Sequence, residues 1–242
     1  MGTMEVPENA LYGASTQRAV LNFPVSGHRM PPLFIRSCGL LKYACARSNF
    51  ELGRLEEHKT DCICKAALEI YQGKHEEQFP LDVFQTGSGT STNMNVNEVI
   101  ANRCSQLTGQ PIGLKIPVHP NDDCNLGQSS NDTMPTALHL SVAIALQLQL
   151  RPALQLLLKA LTKKERAMNK MIKIGRTHLM DATPITLGQE FSGYARQIKK
   201  GITRVDHAIH ALRELAIGGT AVGTGINGHP EFAQGVVKIL NE

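Results

Sequence analysis

Small hydroxyl and amide side chains gather at three places in this chain, and side chains of that kind bind oxyanions. The first group is Thr86-Gly87-Ser88-Gly89-Thr90-Ser91-Thr92-Asn93, and the second is Gln128-Ser129-Ser130-Asn131-Asp132-Thr133. The third is Gly175-Arg176-Thr177-His178-Leu179-Met180-Asp181-Ala182-Thr183-Pro184. Each stands just before a stretch with helical spacing. A helix N-terminus offers N–H groups that lack intrahelical partners, together with a partial positive charge. One such site suits a single carboxylate or phosphate, and two or three converging suit a small dianion. Each hydrogen bond to a charged oxygen is worth ~1.5–3 kcal/mol, so a handful gives useful affinity. Any one cluster taken alone has a plainer reading, because Ser, Thr, Asn and Asp are the preferred N-caps. A dinucleotide fingerprint fails at the first cluster, which has only two glycines and no preceding hydrophobic strand.

The cysteines offer less. Cys62 and Cys64 are two apart with His58 four residues before Cys62, but no second Cys or His pair completes a four-ligand set. Cys38, Cys45, Cys104 and Cys124 are scattered singly, and all six read as small thiols in a reducing compartment. No metal is expected. Charged residues make up 19% of the chain and the net charge is +4, a mild and dispersed excess. The one dense cluster, Lys163-Lys164-Glu165-Arg166, includes a carboxylate and reads as a solvated helix face, so no nucleic-acid partner is expected. No unbroken apolar run reaches ~18 residues, so no membrane partner is expected. The first residues show no charged segment followed by an apolar one, so no secretory signal is expected within them.

Residues 1 to about 30 are punctuated by Pro7, Gly13, Pro24, Gly27, Pro31 and Pro32 and read as irregular. Helical spacing runs from Leu33 to Tyr71, resumes after Thr90 and stops at Gly109; residues 110–128 read as a long ordered loop. From Thr133 the pattern is almost wholly helical, broken at Pro152, near 175–184 and at the glycine-rich stretch 218–228. Leu187, Phe191, Tyr194, Ile198, Ile202, Val205, Ile209 and Leu212 form a near-heptad seam. One helix of about 30 residues and about 45 Å would carry it. A narrow stripe that long needs neighbours of equal length, much of them from other subunits. The fold class is all-α, with an N-terminal, mostly helical domain at 1–128 and the first helices of a long-helix bundle at 129–242.

These segments resemble the class II fumarases of the fumarase/aspartase lyase superfamily. QTGSGTSTNMNVNEVIANR (Gln85 to Arg103), HPNDDCNLGQSSNDTMPTA (His119 to Ala137) and KIGRTHLMDATPITLGQEFSGYA (Lys173 to Ala195) are similar to three signatures in the family's order. GGTAVGTGIN (Gly218 to Asn227) and the opening MGTMEVPENALYGASTQRAVLNF fit as well, so the likeness runs end to end. The resemblance implies a homotetramer of long-helix subunits in which three chains build each active site. It implies reversible addition of water to fumarate to give malate, a step of the tricarboxylic acid cycle, without metal or organic cofactor. The substrate is a small dicarboxylate, and the compartment the cytoplasm, or the mitochondrion for a longer precursor. By motif, Ser88, Gly89, Thr90, Ser129, Ser130, Asn131 and Thr177 would bind substrate, and His178 would be catalytic. His119, Pro120, Asn121 and Asp122 resemble the family's second dicarboxylate site.

The chemistry demands such groups. A weakly acidic C–H proton beside a carboxylate must leave, and fixed donors must stabilise the resulting charge. A proton must also be exchanged with the departing hydroxyl, for which His178 has a suitable range. Two positions depart from the family pattern: Met180 and Ile217 stand where these proteins carry Gln, exchanging an amide for an apolar side chain near the site. The family's Gly-Ser-Ser loop with its Met-Pro-x-Lys-x-Asn signature, which carries the base Ser, does not occur before Glu242, and about half of a family chain is absent. The 242 residues alone are therefore expected to be inactive. Aspartase is the nearest rival, but Ser88, Ser130 and Thr183 side with fumarase where that enzyme's pattern has Ala, Thr and Val. A non-catalytic assembly protein on the same scaffold is the other.

Overall fold

The computed structural model describes residues 3–242, so the first two residues of the opening motif lie outside it. Helices dominate, in keeping with the all-α class: α1 (Ala14–Asn22), α2 (Pro32–Glu51), α3 (Glu57–Tyr71), α4 (Thr90–Leu107), α5 (Ser130–Ala145), α6 (Arg151–Ala167), α7 (Leu187–Ala211) and α8 (Phe232–Leu240). A two-stranded antiparallel hairpin, β1 (Ile172–Thr177) and β2 (Met180–Thr186), was not foreseen. The chain forms two compact units, residues 1–141 with 215–242, and residues 142–214. That division follows packing, whereas the one at residue 128 follows sequence character.

The first unit is built around α2, α3 and α4. Pro31 and Pro32 start α2 where a missing N–H costs nothing. Its buried face, Ile35, Cys38, Leu41, Ala44 and Cys45, packs on Ile63, Ala66, Ala67 and Ile70 of α3. Gly39 permits that crossing, since a Cβ there would lie 2.7 Å from the Ala67 carbonyl oxygen. Val96, Val99, Ile100 and Cys104 of α4 complete the centre. Helix α8 closes one side of α2, where Ser48 Oγ donates to the Phe232 carbonyl at 3.1 Å and Phe232 and Val236 are buried. Ile217 is buried in this core too, so its apolar side chain serves packing.

In the second unit α6 packs along α7. Helix α7 has 25 residues, and its seam is mostly half-buried, with Ile209 buried and Tyr194 exposed. One neighbour for the seam, α6, is thus supplied within the chain. What stays open is the outer side of α6, which buries no residue. Leu148 and Leu156 are 69% and 70% exposed. Residues Ser130–Ala167, α5 and α6 joined through a π turn at Leu146–Leu150, form one unbroken helix of 38 residues. Its most apolar window has a mean hydropathy of 1.3, long and apolar enough to cross a membrane by length and composition, a test that runs of unbroken apolar residues do not apply. Core helices of water-soluble bundles meet the same test.

Candidate active site

The first two hydroxyl clusters meet within the first unit. Gly89 takes the left-handed conformation (φ 68°) that only glycine adopts freely and turns the loop into α4. A Cβ there would approach Met134 Cγ to 3.0 Å. The turn sets Ser88 Oγ 2.8 Å from Thr90 Oγ1, and Thr90 Oγ1 lies 2.9 Å from Ser130 Oγ at the start of α5. Three solvent-facing hydroxyls therefore form one row joining segments forty residues apart. The first N–H groups of α4 fall outside the helix's own ladder, and those of Ser91 and Thr92 donate to Thr86 Oγ1 (3.4 Å) and Gln85 Oε1 (3.0 Å). Ser129 and Asn131 are adjacent: the Asn131 N–H donates to Ser129 Oγ at 3.2 Å, and Asn131 Nδ2 donates to the Ala221 carbonyl at 2.7 Å.

A buried carboxylate holds this arrangement. Asp132 accepts the Ser129 N–H at 2.9 Å on one oxygen, and the N–H groups of Gly218 (3.1 Å) and Thr220 (2.9 Å) on the other. The glycine-rich stretch after residue 217 is thereby pinned beside the α5 start. Asp132 was seen in the sequence only as one member of a polar cluster. Beneath the turn, Asn125 Oδ1 accepts from Lys42 Nζ (3.0 Å) and Asn93 Nδ2 (3.0 Å), and Gln128 Oε1 accepts from Lys42 Nζ (2.9 Å). Lys42, at 1% exposure, stands in the apolar run Leu40 to Ala46 at helical spacing from Cys38 and Cys45, a pattern that marks a buried cation.

The third cluster differs from expectation. It is a hairpin, with His178 (φ 50°) and Leu179 (φ 60°) both left-handed at a two-residue turn and Thr177 paired with Met180. That is the twist hairpins favour, although neither residue is the glycine or asparagine that normally announces it. Alternating β-branched residues, Ile172, Ile174, Thr177 and then Thr183 and Ile185, carry the strand signal. His178 and Met180 are exposed at the tip. Helix α7 begins only at Leu187, capped by Thr186 and Gln189 in a reciprocal capping box with N···O distances of 3.1 and 2.8 Å. The cluster is therefore not at a helix N-terminus.

Around His119 the polar groups satisfy one another. His119 Nδ1 accepts the N–H groups of Asn121 (3.3 Å) and Asp122 (3.1 Å), while the His119 N–H donates to Asp123 Oδ2 at 2.7 Å. This network puts the neutral ring's proton on Nε2. Asp122 Oδ2 also lies 3.2 Å from Nδ1. Asn121 and Asp122 are exposed and Pro120 is buried. The six cysteines are free, five of them buried, and burial pushes the Cys38, Cys45, Cys64 and Cys124 thiols up to about 12.

Residues 2–242 match the family profile described as lyase. The chain is 51% identical over 242 residues to fumarate hydratase class II of Halobacterium salinarum, covering 100% of this chain and 51% of that protein. It is 55% identical over 240 residues to the Mycobacterium tuberculosis protein of the same name, covering 99% of this chain and 49% of that one. Among solved structures, class II fumarase from Schistosoma mansoni superposes with a TM-score of 0.96 at 42% identity, over 99% of this chain and 51% of the other. The chain thus spans about half the length of the curated relatives it matches. With a profile match along nearly its whole length and relatives more than half identical throughout, the chain belongs to the lyase family.

Proposed function

We propose that this chain carries the dicarboxylate-binding part of a fumarate hydratase, an enzyme that adds water reversibly to fumarate to give malate. The observation that supports it best is the hydroxyl row Ser88–Thr90–Ser130, which joins two helix starts at 2.8 and 2.9 Å in the open. Three hydroxyls sharing two hydrogen bonds keep a donor for a ligand oxygen, and the helix-start N–H groups add fixed positive ends. Such donors stabilise a carboxylate in the ground state and hold the extra charge that builds when a C–H proton leaves. In the hydration direction, the same donors draw charge from the double bond as water attacks. Gly89, Ser129, Asn131 and Thr177 complete the binding set in this reading. His178 exchanges the proton of the departing or entering hydroxyl.

Assembly follows from the same reading. The apolar outer side of the long helix favours a helical bundle shared among subunits, and a homotetramer with sites built by three chains would place His178 of one chain against the hydroxyl row of another. Free thiols favour a reducing compartment such as the cytoplasm. In this reading His119, Pro120, Asn121 and Asp122 take a second dicarboxylate, with Nε2–H as the ring's donor because Nδ1 accepts backbone N–H groups. The test is malate-dependent appearance of fumarate absorbance by the assembled enzyme. Ammonia release from aspartate in its place would sink the hydratase reading in favour of an ammonia-lyase.

A further inference from the structure

Among the described residues Lys42 is the one lysine buried to 1% exposure, and its ammonium meets no carboxylate directly among them. Its partners are two neutral amide oxygens, Asn125 Oδ1 and Gln128 Oε1. A core position filled by a charge bonded only to amides is a poor choice for stability alone, since an apolar side chain of similar size usually serves as well or better. The amides it holds are informative. Asn125 Oδ1 also accepts from Asn93 Nδ2 at 3.0 Å and lies 3.4 Å from Asn97 Nδ2, both on α4, while Asn125 Nδ2 donates to the Gln128 carbonyl at 3.1 Å. Asn93 lies one turn after Thr90, and Gln128 lies two residues before Ser130. Both Thr90 and Ser130 thus hang on one half-buried amide pair clamped by Lys42. Asp132, whose charge acts on Lys42, spends its oxygens on Ser129, Gly218 and Thr220 N–H groups.

We propose that Lys42 is a positioning residue for the hydroxyl row: through Asn125 and Gln128 it sets the spacing of Thr90 and Ser130, and so the fit of a dianion. The substrate half of this statement rests on the dicarboxylate reading above; the spacing half stands on the contacts alone. Burial pushes the ammonium's pKa down, and the Asp132 charge behind the turn opposes that shift.

The test uses the 242-residue chain as Lys42→Met, Gln128→Leu and the double variant, with amide hydrogen exchange read by peptide and succinate binding read by calorimetry. Both single variants should speed exchange across residues 125–133 by about tenfold or more while α2 and α3 stay protected. Succinate binding should weaken about tenfold, and the double variant should lose no more than about twofold beyond Lys42→Met, as expected when both act along one path. Unchanged exchange over 125–133 in either folded single variant overturns the proposal. Should Lys42→Met lose protection everywhere, Gln128→Leu decides, because that side chain is only half-buried. A wild-type chain that takes up no succinate removes the dicarboxylate reading, and the exchange result still decides the role of Lys42.

Discussion

At the scale of single residues, the account stands on hydroxyls that do little for folding. Ser88, Thr90 and Ser130 are open to solvent, so their replacement should spare stability. Ser130→Ala or Thr90→Val should weaken dicarboxylate binding about tenfold each, the equivalent of one charged hydrogen bond. Calorimetric titration with succinate checks this alongside an unchanged melting temperature. His178 belongs to a different class. Proton transfer counts only in the transition state, so in the assembled enzyme His178→Asn should lower kcat about 10²–10⁴-fold with KM changed far less. Steady-state kinetics on malate separates the two, and an unchanged kcat would remove His178 from the chemistry. The chain's own residues made the hydroxyls legible but not their supports. Asp132 looked like one more capping residue and Lys42 drew no notice, because Gly218 and Thr220, which bond the one, and Asn125 and Gln128, which bond the other, lie more than eighty residues away.

At the scale of elements, the joint between α3 and α4 should govern the acid limb of stability. Arg103 donates to both oxygens of Glu69, at 2.6 and 2.9 Å, and His75 lies 3.0 Å away. The Arg103 hydrogen bonds hold the Glu69 carboxyl down at about 2, against partial burial that pushes it up. A carboxylate with a depressed folded-state value stabilises fully above its unfolded range near 4.5 and loses that contribution as pH falls toward 2. Glu69→Gln should therefore lower the melting temperature at pH 6, and its difference from wild type should shrink by pH 2.5. At the head of α7, Thr186→Ala should cost about 1 kcal/mol by opening the capping box, read by urea unfolding. Helix positions were well legible because apolar spacing survives burial on one face. The hairpin was not: its turn residues, His178 and Leu179, are neither glycine nor asparagine, and a stretch holding Thr177, Asp181 and Thr183 resembles a cap. The seam on α7 was legible as a stripe but not as to its partner, since spacing says nothing about which helix fills the groove.

At the scale of the whole molecule, the exposed side of the long helix predicts association. Leu148, Leu150, Leu156 and Leu157 face outward, and each gains ~1.5–3 kcal/mol on full burial. Size-exclusion chromatography should show self-association of the 242-residue chain, and the pair Leu148→Glu with Leu156→Glu should reduce it. Residues 1–242 by themselves should turn over no malate, because they contain neither the family's Met-Pro-x-Lys-x-Asn segment nor its base. The most direct test of the central claim combines this chain with the downstream half of the Mycobacterium tuberculosis relative and follows fumarate absorbance from malate. Activity is expected only in the mixture, and is expected to fall sharply when the chain carries Ser130→Ala. Halves that co-elute as one assembly yet convert no malate would contradict it.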